Sequence, residues 1–374
     1  MNKIILLRSY FGDSRIEKMA SFLKETYFIS IIYWNRNKKT LTSSNDSIKR
    51  YYFNLQAPYY SIHLIPRLII WNIWLFFRLL FTHFSVVQAT DLDTAFPALL
   101  IAKIKKKKMV YDIADVYRDI LPLNYPKWLK EMAWNLEKFI INRADLIILP
   151  DVQRLPQITW SKPKKILFIY NTPEIPEKLS DIWIQEIDEF IWKRFCIAYF
   201  WSLNNQRFII EMMNIVANWS KKEICMIIGW LWPNEQEVKE ICDIHPDKLR
   251  FLWKVDYSQV LTISSRSQLL FAIYDPKIEN NKFASPNKIF EAMALWKPIL
   301  VSKGTTMVGY IEKYNMGYTV EYWDTKECIK KIQYLIEDDY LYNKFASSSQ
   351  NSYTHFSAES MKQQLLESYN LLLK

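Results

Sequence analysis

Short apolar runs alternate with longer amphipathic stretches along the whole chain. In the first half we expect strands near residues 3–8, 27–34, 85–89, 109–113, 146–149 and 166–170. After a proline-containing break at 171–177 the pattern restarts, with strands expected near 196–200, 224–229, 249–253, 268–273, 299–302 and 318–322. Strands separated by helices pair in parallel, because a parallel pair needs a long crossover connection. The sequence therefore predicts an α/β protein with two Rossmann-like domains that face each other across a cleft.

The same pattern gives the domain boundaries. We expect an N-terminal domain over 1–170, a linker over 171–195, a second domain over 196–356 and a terminal helix over 357–374. Half of the 374 residues are apolar, which is enough for two hydrophobic cores. Parallel sheets bind ligands outside the carboxyl ends of their strands, so the cleft between the domains is the natural site.

Several functional classes are disfavoured by the composition. The cysteines and histidines are too dispersed for a redox pair or a metal site, so we expect neither a metal nor a cofactor. They are Cys196, Cys225, Cys242, Cys328, His63, His83, His245 and His355. The apolar run from Ile4 to Leu7 is too short for a signal peptide, so we expect a cytoplasmic protein. Nucleic acid is not an expected partner, because the aromatic residues follow core spacing and no binding signature is present.

Two segments bear on membrane contact. Leu68 to Phe77 is bounded by Arg67 and Arg78 and is far shorter than the roughly 20 residues that span a bilayer. With a net charge of +10, this segment suits either a helix on an anionic membrane surface or a helix packed against a sheet. Residues 103–108 include five lysines, which form either an exposed connection or a contact for a polyanion.

The chain has fifteen tryptophans and only five glycines. Trp296 stands between a helical run and Lys297-Pro298, where a left-handed helix cap, normally glycine, is expected. Other tryptophans follow short apolar strands in the same way, and these are Trp201, Trp230, Trp232, Trp253 and Trp323. We hypothesise that these six are glycines in the native protein, encoded by UGA codons that the host reads as glycine. UGG codons in the gene at 201, 253 and 296 would refute this hypothesis.

The segment around Ser285-Pro286-Asn287-Lys288 is typical of a helix start. Ser285 is a good N-cap and Pro286 a good first residue, so free amide groups should face outward and bind an anion. Lys288 adds positive charge in the first turn, and Glu291 follows on the same face, where its carboxylate can accept bonds from ribose hydroxyls. The alternative is a capped helix with a surface lysine–glutamate pair.

This segment, with Trp296 read as glycine, resembles the donor site of family 4-like glycosyltransferases of the GT-B fold. Other segments resemble the same family in the same order: Gly12-Asp13-Ser14-Arg15, Asp91-Leu92-Asp93, Asp112-Ile113-Ala114-Asp115, Asn171-Thr172-Pro173 and the turn from Trp201 to Arg207. The resemblance implies an enzyme that moves a sugar from a nucleotide-diphosphate sugar to a hydroxyl of a glycan or lipid-linked acceptor. It also implies retention of the anomeric configuration without a bound metal.

The resemblance also implies roles for residues. The donor-binding set is Trp201, Arg207, Ser285, Pro286, Asn287, Lys288 and Glu291, and the acceptor-side loop holds Gly12, Asp13 and Arg15. Asp13 and Arg15 either line the cleft or cap the first helix. Asp93 or Asp115 would position the acceptor hydroxyl or accept its proton, whereas helix capping is the preferred role of Asp91.

This chain departs from the family's pattern at three positions. Many members have a second basic residue where this chain has Ser202, a glutamate where it has Phe283 and a histidine where it has Ala114. Two other functions therefore stay open, a nucleotide-sugar epimerase of the same fold and a noncatalytic protein that binds membrane surfaces. An epimerase would convert the nucleotide sugar without an acceptor, whereas a transferase needs one.

Overall fold

The computed structural model describes residues 2–37, 47–58, 61, 63–121, 125–175, 184–220, 223–229, 235–253 and 255–374. The chain divides into two compact units, residues 1–170 with 359–374 and residues 171–358. Trp230 and Trp232 of the glycine hypothesis lie outside the described residues.

The strands of the first unit are β1 (Lys3–Arg8), β2 (Phe28–Trp34), β3 (Lys49–Phe53), β4 (Val86–Thr90), β5 (Lys108–Asp112), β6 (Leu146–Leu149) and β7 (Ile166–Phe168). The helices are α1 (Ser14–Leu23), α2 (Leu64–Leu80), α3 (Leu92–Ile104), α4 (Tyr117–Ile120) and α5 (Lys127–Ile141), with a 3-10 helix at Val152–Ile158. All strand pairs are parallel, in the order β3-β2-β1-β4-β5-β6-β7.

The strands of the second half are β8 (Phe195–Phe200), β9 (Ile224–Gly229), β10 (Leu249–Leu252), β11 (Leu269–Ala272), β12 (Ile299–Ser302) and β13 (Gly317–Val320). The helices are α6 (Ile184–Ile191), α7 (Ile209–Ala217), α8 (Glu235–Ile244), α9 (Tyr257–Arg266), α10 (Glu279–Lys282), α11 (Asn287–Ala294), α12 (Val308–Tyr314), α13 (Thr325–Glu337), α14 (Asp339–Tyr353) and α15 (Ala358–Leu373). Their parallel sheet has the order β10-β9-β8-β11-β12-β13.

Each sheet therefore has the Rossmann strand order, which confirms the predicted α/β class. The order reverses between β1 and β4 in the first sheet and between β8 and β11 in the second. Ligands of doubly wound sheets bind at these reversal points, beyond the carboxyl ends of the strands.

Helix α15 joins the first unit although it follows the second in sequence. The hydroxyl of Tyr369 donates to the side-chain oxygen of Gln88 in β4, and Tyr27 donates to Asn370 over 2.5 Å. Residues 171–195, predicted as a linker, include α6 and belong to the second unit.

Trp296 occupies the left-handed position that the sequence predicts, with φ 59°. Its amide donates to the carbonyl of Met293 and the amide of Lys297 to that of Ala292, which is the Schellman arrangement at the end of α11. The other described tryptophans of the hypothesis, Trp201, Trp253 and Trp323, do not have a positive φ. A left-handed backbone, which favours glycine, is therefore present at 296 and absent at those three positions.

Candidate functional site

The start of α11 differs from the sequence prediction. The helix begins at Asn287, and Pro286 occupies the N-cap position with φ −74° and ψ 146° and without a side-chain cap. Ser285 is therefore not the N-cap; its carbonyl accepts from the side-chain amide of Asn171 over 3.2 Å. Proline drives the residue before it, here Ser285, toward an extended backbone. Because Pro286 is itself extended, the helix begins one residue later than predicted, at Asn287.

Lys288 and Glu291 are buried, so the alternative of a surface pair is wrong. Lys288 Nζ donates to the carbonyl of Phe200, the last residue of β8, over 2.7 Å, and lies 3.9 Å from Glu291 Oε2. The hydroxyl of Tyr257 donates to Glu291 Oε1 over 2.9 Å. These contacts fix both side chains beside the carboxyl end of β8.

Arg207 lies in the loop that follows β8. Its guanidinium stacks over the ring of Tyr274 at 3.6 Å, which places it just beyond the end of β11. The Nε and Nη1 atoms are buried and have no hydrogen-bond partner among the described residues. A buried guanidinium N–H without an acceptor is costly, so an anionic group at this place would be favoured.

The backbone after Arg207 is strained. Phe208 is buried at φ 55°, a left-handed conformation that bulky residues rarely adopt. Such strain persists where the surrounding structure fixes it, and it concentrates at binding sites. The hydroxyl of Tyr322 donates to the carbonyl of Asn205 over 2.7 Å and helps to hold this loop.

The charges of Lys288, Glu291 and Arg207 together favour the binding of an anion. Burial lowers the pKa of Lys288, the carboxylate of Glu291 raises it, and the nearby charge of Arg207 lowers it again. Two cations, Lys288 and Arg207, and the carboxylate of Glu291 therefore lie near one another at the reversal point of the second sheet. We call Arg207, Lys288, Glu291, Tyr257 and Tyr274 the β8–β11 cluster. The sequence indicated the first three residues; Tyr257 and Tyr274 carry no sequence signal that separates them from ordinary core aromatics.

Trp201 borders this cluster because it directly follows Phe200. Its side chain is 40 % exposed. The structure thus brings Trp201, Arg207, Lys288 and Glu291 to the same end of the second sheet.

In the first unit, Asp13 and Arg15 both make contacts with neighbouring residues. Asp13 is the N-cap of α1 and accepts from the amide of Arg15 over 2.7 Å, while it also pairs with Arg8. Arg15 pairs with Asp112 at 2.8 Å and donates to the carbonyl of Ile169. Gly12 has φ 85°, and open space surrounds the position of a side chain.

The preferred role of Asp91, capping of its own helix, is wrong. Asp91 has φ 62°, and its side chain makes no cap bond to α3. It pairs with Arg8 and accepts from the amide of Ala114 over 3.0 Å and from that of Asp115 over 3.3 Å. Burial raises the pKa of Asp91 to about 7, against the lowering effect of Arg8. Arg8, a buried arginine at the end of an apolar strand, was missed, although its charge in such a run was a usable signal.

The two predicted catalytic carboxylates each form an ion pair. Asp93 Oδ2 lies 3.1 Å from Arg36, and its buried Oδ1 has no hydrogen-bond partner among the described residues. Asp115 Oδ1 lies 3.1 Å from Arg154, and the Asp115 side chain is 41 % exposed. Both follow strands at the carboxyl edge of the first sheet, next to its reversal point. Across the described ranges, no cluster of three or more histidine, cysteine, aspartate or glutamate residues is arranged to hold a metal.

No family model matches this chain. No curated protein matches it either.

Solved structures of similar fold are found despite low sequence identity. A sucrose-phosphate synthase from Thermosynechococcus elongatus is 11% identical, with a TM-score of 0.78 over 100% of this chain and 99% of that one. Anabaena HepE, in complex with UDP and glucose, is 16% identical, with a TM-score of 0.72 over 99% and 100%. A glycosyltransferase from Rickettsia africae is 15% identical, with a TM-score of 0.71 over 100% and 99%. Together with the strand orders of both sheets, these similarities show that this chain has the GT-B fold.

Proposed function

We propose that this protein is a glycosyltransferase that moves a sugar from a nucleotide-diphosphate sugar to a hydroxyl of a glycan or lipid-linked acceptor. The observation that carries the proposal is the guanidinium of Arg207, whose buried Nε and Nη1 have no acceptor among the described residues and which lies near Lys288 at the β8–β11 reversal point. A diphosphate satisfies both requirements of this place, negative charge and hydrogen-bond acceptors. The complex of HepE with UDP and glucose supports a uridine nucleotide as the first ligand to test.

The chemistry follows from the charges. Arg207, Lys288 and the amide end of α11 stabilise the negative charge that develops on the departing diphosphate, which lowers the barrier to transfer. We propose that these groups act without a bound metal and that the configuration at the anomeric carbon is retained. Glu291, held by Tyr257, is the proposed acceptor of ribose hydroxyl groups.

On the acceptor side, Asp115 is the better placed of the two proposed carboxylates. Its side chain is partly exposed, whereas Asp93 is buried against Arg36. A carboxylate that reaches solvent can contact an acceptor hydroxyl and take its proton. Asp115→Asn should lower kcat in a transfer assay while the affinity for UDP stays unchanged.

The decisive experiment is a binding titration with UDP. Arg207→Ala should weaken binding roughly 10- to 100-fold, because a charge-assisted contact contributes about 1.5–3 kcal/mol. Arg250→Ala, the loss of an exposed arginine on β10, is the control and should bind as the wild type does. Lys288 is a poorer test, because it is buried and supports the fold through Phe200.

Binding alone does not separate the three functions, so turnover of UDP-glucose is measured with and without a membrane and glycan extract. Release of UDP that depends on the extract supports a transferase. Conversion of the nucleotide sugar without the extract would indicate an epimerase. Equal UDP binding by wild type and Arg207→Ala would contradict the proposed donor site.

A further inference from the structure

Helices α2 and α3 of the first unit expose large apolar side chains on their outer surfaces. On α2 and at its end, Ile73, Phe77 and Phe81 are 53, 52 and 83 % exposed. On α3, Phe96, Leu100 and Ile104 are 43, 40 and 56 % exposed. We call these six residues the α2–α3 apolar face. Soluble surfaces rarely group so many large apolar residues unless they bind something.

Each helix is apolar on two opposite sides. The inner side of α2 carries Trp71, Leu75 and Leu79, which are fully buried in the core under the helix. The outer residues follow at intervals of four, as Ile73, Phe77 and Phe81, which places them on a separate stripe. Packing against the sheet therefore explains the inner side and leaves the outer side without an explanation.

The two helices run side by side in the same direction. The carbonyl of Asp93, near the start of α3, accepts from Trp71 Nε1 over 3.0 Å. At the other end, Lys105 Nζ donates to the carbonyls of Leu79 and Thr82. The outer stripes of α2 and α3 therefore lie next to each other and end together at the lysine-rich segment 103–108.

Positive charge borders this face. Lys103, Lys106 and Lys108 are exposed at the shared end of the two helices, and Arg67 and Arg78 lie along the flank of α2. An apolar surface edged by lysine and arginine complements an anionic bilayer, because the aliphatic and aromatic groups enter the acyl boundary while the cations meet the lipid phosphates. Among the described residues, no helix is long and apolar enough to cross a membrane.

We propose that the α2–α3 apolar face binds the surface of an anionic lipid bilayer, such as the cytoplasmic leaflet. The chain then lies on the membrane through its first unit, with Lys103, Lys106 and Lys108 over the headgroups. The proposal is independent of the sugar-transfer reaction, since it rests on a different part of the chain and is tested without measuring activity.

The test is co-sedimentation of the full chain with vesicles of phosphatidylcholine, with or without an equal part of phosphatidylglycerol. The wild type should sediment with the anionic vesicles and bind the neutral ones at least about tenfold more weakly, because each lysine near an anionic surface contributes roughly fivefold. The binding should fall as salt is raised.

Two variants test the two parts of the surface. Phe77→Gln with Phe81→Gln should lower partitioning at least about tenfold, because two exposed aromatic rings no longer enter the acyl boundary. Its control, Ile244→Gln with Leu371→Gln, removes two side chains of similar exposure elsewhere. Lys103→Glu with Lys108→Glu should lower partitioning roughly 25-fold or more, whereas Lys239→Glu with Lys330→Glu makes the same change in net charge at exposed sites of the second unit.

Sedimentation velocity without lipid is the second measurement. Wild-type partitioning in both variants of the face would overturn the proposal. So would a wild-type dimer that Phe77→Gln with Phe81→Gln dissociates while none of the proteins binds vesicles, because the face would then join two copies of the chain. Unchanged melting temperatures confirm that the variants fold.

Discussion

At the level of single residues, Trp296 conflicts most clearly with its backbone. It holds the left-handed position of a Schellman motif, which costs a residue with a Cβ about 1–2 kcal/mol, and its side chain is 53 % exposed and gains little burial in return. The sequence predicted this conformation from the apolar pattern and Pro298 alone. The same prediction of a left-handed backbone is wrong for Trp201, Trp253 and Trp323, because the end of a strand does not by itself demand a positive φ.

Trp296→Gly should therefore stabilise the protein by about 1 kcal/mol, which corresponds to roughly 2 °C in melting temperature. Trp323→Gly is the control, because its side chain is 62 % exposed but its φ is not positive. That control should leave stability unchanged or lower it, since glycine gains entropy in the unfolded chain. A lower melting temperature for Trp296→Gly would contradict the conformational argument, while gene sequencing separately tests the codon hypothesis.

Trp201 offers a second test at this scale. Trp201 directly follows Phe200, whose carbonyl accepts a hydrogen bond from Lys288. Its large side chain therefore lies at the border of the β8–β11 cluster. If the native residue is glycine, Trp201→Gly should tighten UDP binding, by roughly tenfold if about 1.4 kcal/mol of obstruction is removed. Trp253→Gly, at the end of β10, should leave UDP affinity as it is. Weaker binding by Trp201→Gly would show that the ring contributes to the site.

At the level of helices and strands, the buried carboxyl group of Glu137 connects three elements. Glu137 lies in α5 and accepts from the hydroxyl of Tyr111 in β5 over 2.9 Å and from the amide of Tyr117 in α4 over 3.1 Å. Burial raises the pKa of Glu137 to about 8, against the lowering effect of these two hydrogen bonds. The folded protein therefore keeps a proton on Glu137 that the unfolded chain releases above about pH 4.5.

This difference predicts a pH dependence of stability. Between about pH 4.5 and 8 unfolding releases the proton, so this group makes stability fall by about 1.4 kcal/mol per pH unit as pH rises. Glu137→Gln resembles the protonated acid and removes that slope. We expect the variant to be more stable than the wild type at pH 8 and close to it at pH 5, as measured by urea unfolding at both values. Parallel pH profiles for the two proteins would contradict the assigned protonation state.

The strands show what the sequence could and could not reveal. All twelve strands expected from apolar runs are present within a few residues, because a strand buried on both faces needs a continuous apolar sequence. The edge strand β3, Lys49–Phe53, was missed because it is charged and only partly buried and so lacks that pattern. In the site, the helix of Lys288 was predicted from local sequence, whereas the arginine of the β8 loop was predicted from the family resemblance. The pairing of Arg8 with Asp91 was not, because contacts between residues 83 positions apart leave no local pattern.

At the level of the whole molecule, the chain enters the second unit at residue 171 and returns to the first for its last helix. The inner face of α15 is joined to β4 by the buried bond from Tyr369 to Gln88, whose amide nitrogen in turn contacts the sulfur of Met19 in α1 over 3.1 Å. The stability of the first unit therefore depends on a segment that follows the second unit in sequence, while the second unit has a core of its own.

Tyr369→Phe tests this division. It leaves the side-chain oxygen of Gln88 buried without its donor, which should cost about 1–3 kcal/mol. Hydrogen exchange should then speed up in β1 and β4 and stay unchanged in β8 and β9, because local stability follows the cooperative unit. The matched control is Tyr342→Phe, which removes a bond of 3.2 Å to the carbonyl of Gln268 in the second unit and should give the opposite pattern. If either variant lowers protection from hydrogen exchange equally in both sheets, the two units unfold as one. The return of the chain through α15 would then couple the stabilities of the two units.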